Sequence, residues 1–490
     1  MKQIFSRYPF FLYLLPVFFV LHGYIDNLDL VPPSNAFTLT IYYLAFTLAI
    51  SIIFRVVFSN FNNAALFSFV LLFFYFFFGS MHDFLKKISG EGIISRYIIV
   101  LPAITTILIL IFFKLKNRIH QQLKTSIYLN TLLITLLVFD ISRLVIVRVN
   151  QKKSSNFFFE TLKNCNECTK PDIYIIIADE YAGNLSLREY FNYDNSSFLD
   201  SLSLRGFRII NKSTSNYNAT AYTMASLFTL NYIRGLKDTI DSKENISTCY
   251  HLIRNNQLVE FLKENGYRFI NYSGFEFIDQ PGYTQQGFLP GNTAPITNQT
   301  LSGRLMRDLW FHLVTDLKWE KAINDVTYLQ LKKNNKTYDQ TKKIASEKSE
   351  KPKLVYTHLV MPHNPYYYNR EGILRQPEVL TQAFRFDKAA YAEYLQYVNN
   401  KLLELIDQIR SNSITEPVIF LAGDHGFRHY GPEVANSYQF DNLSAISMPG
   451  RNYEKFNDSM TLINQMRTVL NIQFRQQLPL LRDSCIFIKQ

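Results

Sequence analysis

The sequence predicts a two-part protein: an N-terminal membrane domain of about five helices over residues 1–150, a linker at 151–170, and an α/β domain with a mainly parallel sheet over 171–490. Three observations carry this expectation. The longest apolar runs fall before residue 150, strands alternate with helices after residue 170, and three of those strands end in clusters of acidic residues and histidine.

The apolar runs are 8–24, 37–58, 64–80, 96–113 and 126–148, each near the ~20 residues that a bilayer core requires. "FSFVLLFFYFFFG" has no polar face, which excludes a water-facing amphipathic helix. The first run follows Lys2 and Arg7 as in a signal peptide, but no small-x-small cleavage site follows, so it reads as a permanent span. The stretch "KLKNRIHQQLK" carries Lys114, Lys116, Arg118 and Lys124, whereas the loop after the first run carries Asp26 and Asp29. Positive charge stays inside, so the N-terminus and this basic loop belong to the cytoplasm. An odd number of spans then sends everything after about residue 150 outside the cytoplasmic (inner) membrane. Lys86, Lys87 and Arg96 run against this topology, in a loop it places outside.

The net charge of +11 does not indicate nucleic acid. Up to Lys153 there are 14 Lys and Arg against 5 Asp and Glu, and the remaining 37 and 35 nearly cancel. The excess flanks the membrane runs, and no nucleic-acid signature appears. All four cysteines, Cys165, Cys168, Cys249 and Cys485, fall in the part expected outside. "CNEC" has the spacing of a zinc half-site, but no second CxxC completes it. A structural disulfide suits an oxidising compartment, with its pairing left open.

"KPDIYIIIADEYAG" (170–183) reads as a buried parallel strand ending at Asp179 and Glu180. "FLDSLSLRGFRIINKSTS" and "QLVEFLKENGYRFINYSG" each read as helix then strand. "KLVYTHLVMPHNP" and "LLELIDQIRSNSITEPVIFLAGDHG" continue the alternation that defines a parallel sheet. The lysine-rich segment 333–353 has no apolar period and reads as an exposed helix or loop. No internal repeat is found. Ligands of such sheets bind beyond the carboxyl ends of the strands, and here those ends carry "ADE", "MPH" and "GDH".

Asp424 and His425 follow a strand directly, between Gly423 and Gly426. Such a pair is buried comfortably only with partners. One reading is structural, with the histidine bonded to a carbonyl and the aspartate capping a helix. The other is a metal site, since zinc takes carboxylate and imidazole ligands and keeps one position open in catalytic sites. Asp179, Asp424 and His425 would supply three ligands and a threonine oxygen the fourth. The uncharged stretch "NATAYTMASLFT" (218–229) offers that threonine. It is either a packed helix turn whose hydroxyls bond back to the backbone, or a nucleophile at a helix start facing an anion.

"PDIYIIIADEYAG", "TAYTMASLF", "HLVMPHNPYYY" and "GDHG" occur in the order seen in the alkaline phosphatase–sulfatase superfamily. Within it the chain resembles lipoteichoic acid synthases and lipid A phosphoethanolamine transferases, five-span membrane proteins with an extracytoplasmic α/β catalytic domain. The resemblance implies Zn²⁺ or Mn²⁺ held by Asp179, Asp424 and His425, with Glu180 a further ligand or a neighbour of the ligands. It implies Thr220 as nucleophile, where the sulfatase subgroup has cysteine or serine, and His363 near the transferred group. His429 stands closer to the Asp-His pair than the transferases' additional histidine, and the cysteine pattern differs from theirs.

The expected function is a membrane-anchored, metal-dependent transfer of phosphoethanolamine or phosphoglycerol from a phospholipid donor to a cell-envelope glycan or lipid acceptor, through a phospho-threonine. The alternatives are a phosphodiesterase or sulfatase-type hydrolase on the same fold, and a non-catalytic envelope-assembly protein.

Overall fold

In the computed structural model, which describes residues 8–90, 92–117, 123–154, 162–282, 289–431 and 433–489, the apolar N-terminal runs all fold as helices. These are α1 (Phe10–Ile25), α2 (Pro33–Val57), α3 (Phe61–Phe76), α4 (Phe78–Ser89), α5 (Tyr97–Lys116) and α6 (Leu123–Ser154). Pro33 opens α2 at a position where a missing N–H costs nothing, and the Asn60 side chain caps α3 by accepting from the Asn62 amide. Among the described residues, α2 and α5 are each long and apolar enough to cross a membrane, and α3 with α4 qualifies as a pair bent by 58°. The five expected spans thus appear as a helical region with two or three apolar spans. α1 has only 16 residues, and the run 64–80 breaks at Phe77, beside which the Gly79 amide donates to the Gln299 carbonyl at 2.8 Å. α2 and α5 turn Ile41, Leu48, Ile52, Ile98 and Leu110 outward, where a water-facing helix would carry charge.

Two compact units emerge: Met1–Phe157 with Thr284–Trp319, and Phe158–Tyr283 with Glu320–Gln490. Residues 284–319, left by the sequence reading within 171–490, group with the N-terminal helices. The reason is local packing: Ile296 is buried in their core, and the buried Arg304 guanidinium forks onto Asp83. Arg118 of the basic loop and residues 155–161 of the linker lie outside the described residues.

In the second unit six strands form one sheet: β1 (Ile173–Ala178), β2 (Arg208–Ile209), β3 (Arg268–Tyr272), β4 (Lys353–Leu359), β5 (Val418–Ala422) and β6 (Ser444–Ser447). Their order is β2-β6-β5-β1-β4-β3. β3, β4, β1 and β5 run parallel, while β6 is antiparallel to β5 and β2 antiparallel to β6. The sheet is mixed and mostly parallel. Every residue of β1 and β4 is buried, as a parallel sheet covered on both faces requires.

Three helices matter for the sites: α7 (Thr220–Thr229), α8 (Leu329–Ser346) and α9 (Lys388–Asn412). α9 lays Tyr391, Tyr394, Leu395, Val398 and Leu402 into a core that includes Tyr174 and Ile176 of β1. α8 corrects the reading of 333–353 as a solvated segment. It buries Leu331, Asn334, Thr337, Tyr338, Thr341 and Ile344. That stripe has helical spacing but is largely polar, so no apolar period announces it. Its polar atoms are paired across the core, as where the Thr341 and Thr357 hydroxyls meet at 2.9 Å. Cys165 and Cys168 are disulfide-bonded, while Cys249 and Cys485 are free thiols.

Candidate active site

The register of the sheet brings the candidate residues together. β4 and β5 flank β1, with Ala178 opposite Leu359 and Ile177 opposite both His358 and Ala422. The three chains therefore leave the sheet side by side, carrying Asp179 and Glu180, the loop to His363, and Asp424 with His425. Backbone bonds lock the exits. The Asp179 amide donates to the Leu359 carbonyl at 2.9 Å, and the His363 amide to the Asp179 carbonyl at 3.1 Å. Asp424 Oδ1 accepts from the amides of Glu180 and His425, both at 3.0 Å. The turn after β5 needs its glycines for closeness, not for a left-handed backbone. A Cβ on Gly426 would lie 2.5 Å from the Asp441 and Tyr438 carbonyl oxygens.

Asp179, Asp424 and His425 are buried and place one ligand atom each within 4.8 Å of the others. His425 Nδ1 lies 2.7 Å from the Gly426 carbonyl and must donate to it. Its Nε2 then turns a lone pair toward Asp424 Oδ2 at 3.4 Å and Asp179 Oδ1 at 3.7 Å. Neither carboxylate oxygen has a hydrogen-bond partner among the described residues. Two buried anionic oxygens and a lone pair facing one another are costly unless a cation sits among them. A divalent metal fits this donor set, and the backbone-bonded imidazole has the fixed tautomer that metal-binding histidines show.

Thr220 completes the group. It is the first residue of α7, after Ala219, whose side chain cannot cap the helix. Its Oγ1 lies 3.3 Å from His425 Nε2. The uncapped first turn leaves backbone N–H groups and the positive helix end for an anion. The other hydroxyls of the stretch follow the structural reading. Thr223 donates to the Tyr217 carbonyl at 2.9 Å, Ser226 to Thr223 at 2.8 Å and Thr229 to Ala225 at 2.7 Å.

Glu180 lies in a different charge group from the three ligand candidates. It is fully buried with φ +60, and its Oε1 accepts the Arg428 amide at 3.0 Å. His363 Nε2 stands 3.8 Å from its carboxylate, His429 Nε2 3.7 Å and Arg428 Nε 3.9 Å. His363 Nδ1 donates to the Asn364 carbonyl at 2.7 Å. Burial works against its protonation, but Glu180 and then Asp179 outweigh it and hold the imidazole above its ordinary range. His429 goes the other way: burial dominates and lowers its pKa, and its Nε2 lies 3.1 Å from Asn364 Nδ2. Burial alone would also raise Asp179, yet His363 and the hydrogen bond from His358 hold its carboxyl well below the usual carboxylate range.

Two residues of the site escaped the sequence reading. His358 sits inside β4 with Nε2 3.7 Å from Asp179 Oδ2. Tyr356, kept protonated by complete burial, donates to His358 Nδ1 at 2.8 Å, so His358 turns its N–H toward Asp179. Arg428 brings a buried Nε, without a hydrogen-bond partner among the described residues, to 3.9 Å from Glu180. The signal for both was adjacency to a strand end that had already been singled out.

Several solved structures share similarity with this chain. The C-terminal periplasmic domain of EptC from Escherichia coli, in complex with Zn, is 11% identical over 64% of this chain and 87% of its own, with a TM-score of 0.39. The corresponding domain of the phosphoethanolamine transferase EptC from Campylobacter jejuni is 14% identical over 64% and 92%, with a TM-score of 0.36. A putative sulfatase from Bacteroides fragilis is 15% identical over 65% and 77%, with a TM-score of 0.41. No curated protein matches the sequence. The family model described as Sulfatase matches residues 171–466, a span that runs from the start of β1 through the whole sheet and past both strand ends that carry the candidate ligands, and the chain belongs to the sulfatase family.

Proposed function

We propose that this protein is a membrane-anchored, metal-dependent transferase that moves phosphoethanolamine or phosphoglycerol from a phospholipid to a cell-envelope glycan or lipid, with its α/β unit outside the cytoplasmic membrane. The observation that carries the reading is the 3.3 Å approach of Thr220 Oγ1 to His425 Nε2 at an uncapped helix start. A formylglycine sulfatase needs a cysteine or serine there, and this chain has threonine. Asp179, Asp424 and His425 would hold Zn²⁺ or Mn²⁺, which when bound supplies positive charge that acidifies a neighbouring hydroxyl and offsets phosphate charge.

Thr220 Oγ1, whose proton passes to solvent on attack and is recovered from solvent when the hydroxyl is released, attacks the donor phosphorus, forming a threonine–phosphate ester and breaking the bond to the diacylglycerol oxygen. The first-turn amides of α7 hold the phosphate oxygens. His363, whose hold on its proton Glu180 strengthens, gives that proton to the departing oxygen. An acceptor hydroxyl then attacks the same phosphorus, passes its proton to His363 and releases Thr220, so one hard displacement becomes two easier ones. The N-terminal helices on the same chain keep the enzyme with a lipid donor. Mass spectrometry of lipids and glycans from cells with and without the protein tests the reading. A phosphoethanolamine or glycerol phosphate increment that depends on the protein supports it. Identical spectra, or free phospho-alcohol as the sole product, overturn it, the latter in favour of a hydrolase.

A further inference from the structure

Between α8 and α9 the second unit encloses a cavity of about 300 Å³ that the proposed chemistry does not use. Its inner wall includes Tyr338, Met361 and Tyr394, all buried, and its mouth includes the exposed Asn335 and Asp339. Tyr368 and Tyr397 stack on one another at its side, with ring centroids 4.4 Å apart and planes 27° from parallel. Tyr394 is 0% exposed, and its hydroxyl has no hydrogen-bond partner among the described residues. A buried hydroxyl left so costs about 1–3 kcal/mol, which a bound polar molecule would recover.

The charges around the cavity restrict what that molecule is. Lys342 and Lys401 lie over the Tyr338 ring at 5.4 and 5.6 Å, and both are committed to Glu404, at 2.7 and 3.0 Å. With Asp339 at the mouth, two lysines face two carboxylates, and the lining carries no net charge. A charged ligand of either sign therefore finds no excess of opposite charge, and an apolar ligand would leave the Tyr394 hydroxyl and the Asn335 amide unpaired. A neutral pyranose satisfies both. Its C–H face stacks on a tyrosine ring, while its hydroxyls reach the Tyr394 hydroxyl, the Asn335 amide and the Asp339 carboxylate. The same loop serves both places: Met361 stands two residues before His363, and Tyr368 five after it.

We infer that this cavity binds one neutral sugar unit of the acceptor glycan, holding the chain while a neighbouring hydroxyl reaches the active site. The inference rests on the transferase reading for the word acceptor, but sugar binding is testable without turnover. Saturation-transfer NMR on the full-length Thr220→Ala protein, in lauryldimethylamine oxide because that detergent carries no sugar, is run with mannotetraose, chitotetraose and cellotetraose. Saturable binding of at least one is expected. Tyr394→Phe, which removes a single oxygen, weakens it about fivefold, the equivalent of one neutral hydrogen bond. Tyr368→Ala, at a half-buried position, weakens it about tenfold. Absence of saturable binding for all three sugars, or affinities that neither substitution changes, overturns the inference. Sugar binding in a protein whose Thr220→Ala variant still transfers leaves this inference standing and sinks the proposed mechanism. Loss of transfer in Thr220→Ala without sugar binding does the reverse.

Discussion

Thr220 and His425, 205 positions apart in the chain, bring Oγ1 and Nε2 within 3.3 Å, while Thr223, one helical turn further along α7, points its hydroxyl into the Tyr217 carbonyl. One helix thus separates a hydroxyl available for chemistry from one spent on structure. Thr220→Ala should keep stability within about 1 kcal/mol, because the side chain is only partly buried and supports no backbone group. Transfer should fall by roughly a thousandfold or more. Thr223→Ala should cost about 1–2 kcal/mol of stability through a lost buried hydrogen bond and a small void, and leave transfer within about threefold. Thermal melts and transfer rates on the two variants check both. Equal rates for wild type and Thr220→Ala would contradict the assignment.

The unpartnered oxygens of Asp179 and Asp424 predict how metal affects folding. Full-length protein should bind Zn²⁺ or Mn²⁺ stoichiometrically, and saturating metal should stabilise it by about 3 kcal/mol at a hundredfold excess over Kd. Asp424→Asn combined with His425→Ala should abolish both the bound metal and the stabilisation, as read by elemental analysis and melting. Metal retained at full stoichiometry in the double variant would sink the ligand set.

The opposite displacements of His363 and His429 give a pH signature. Glu180 holds His363 above its ordinary range despite burial. The protonated form is the acid, so the transfer rate should fall as pH rises through that raised value. Glu180→Gln removes the negative charge, lowers the His363 pKa and should move the alkaline limb to lower pH. The rate profile of the two proteins measures it, and an unmoved limb argues that His363 is not the acid.

Gly426 tests how tightly the Asp-His pair is held. The Cβ of Gly426→Ala would meet two backbone carbonyl oxygens at 2.5 Å, so the turn must shift and carry His425 with it. Metal affinity should fall at least tenfold, as for other losses of ligand positioning. Isothermal titration with Zn²⁺ reads this, and unchanged affinity would mean that the turn is softer than its packing implies.

Much of the second unit was legible because fully buried parallel strands leave short β-branched runs in the sequence. "IYIII" and "VIFLA" mark β1 and β5, and the residues just beyond them are the ligand candidates. β6 was not legible: "SAIS" has neither length nor apolar character, and it becomes a strand through pairing with β5. His358 was hidden by position, since a residue inside a strand looks like core until the register sets it beside Asp179. The buried face of α8 was hidden by chemistry, because Asn334, Thr337 and Thr341 pack a helix without any hydrophobic period. The grouping of residues 284–319 with the N-terminal helices was not legible, since what ties them together, such as Arg304 on Asp83, spans more than two hundred positions.

The most direct test of the account is the mass of the enzyme after it has met a donor and no acceptor. Full-length protein loaded with Zn²⁺ is incubated with phosphatidylethanolamine or phosphatidylglycerol, digested, and the peptide containing Thr220 is weighed. The account predicts a phospho-alcohol increment on Thr220 that disappears when an acceptor hydroxyl is added and never forms in Thr220→Ala. An unmodified Thr220 in protein that nevertheless transfers the group, or an increment on another residue, would contradict it.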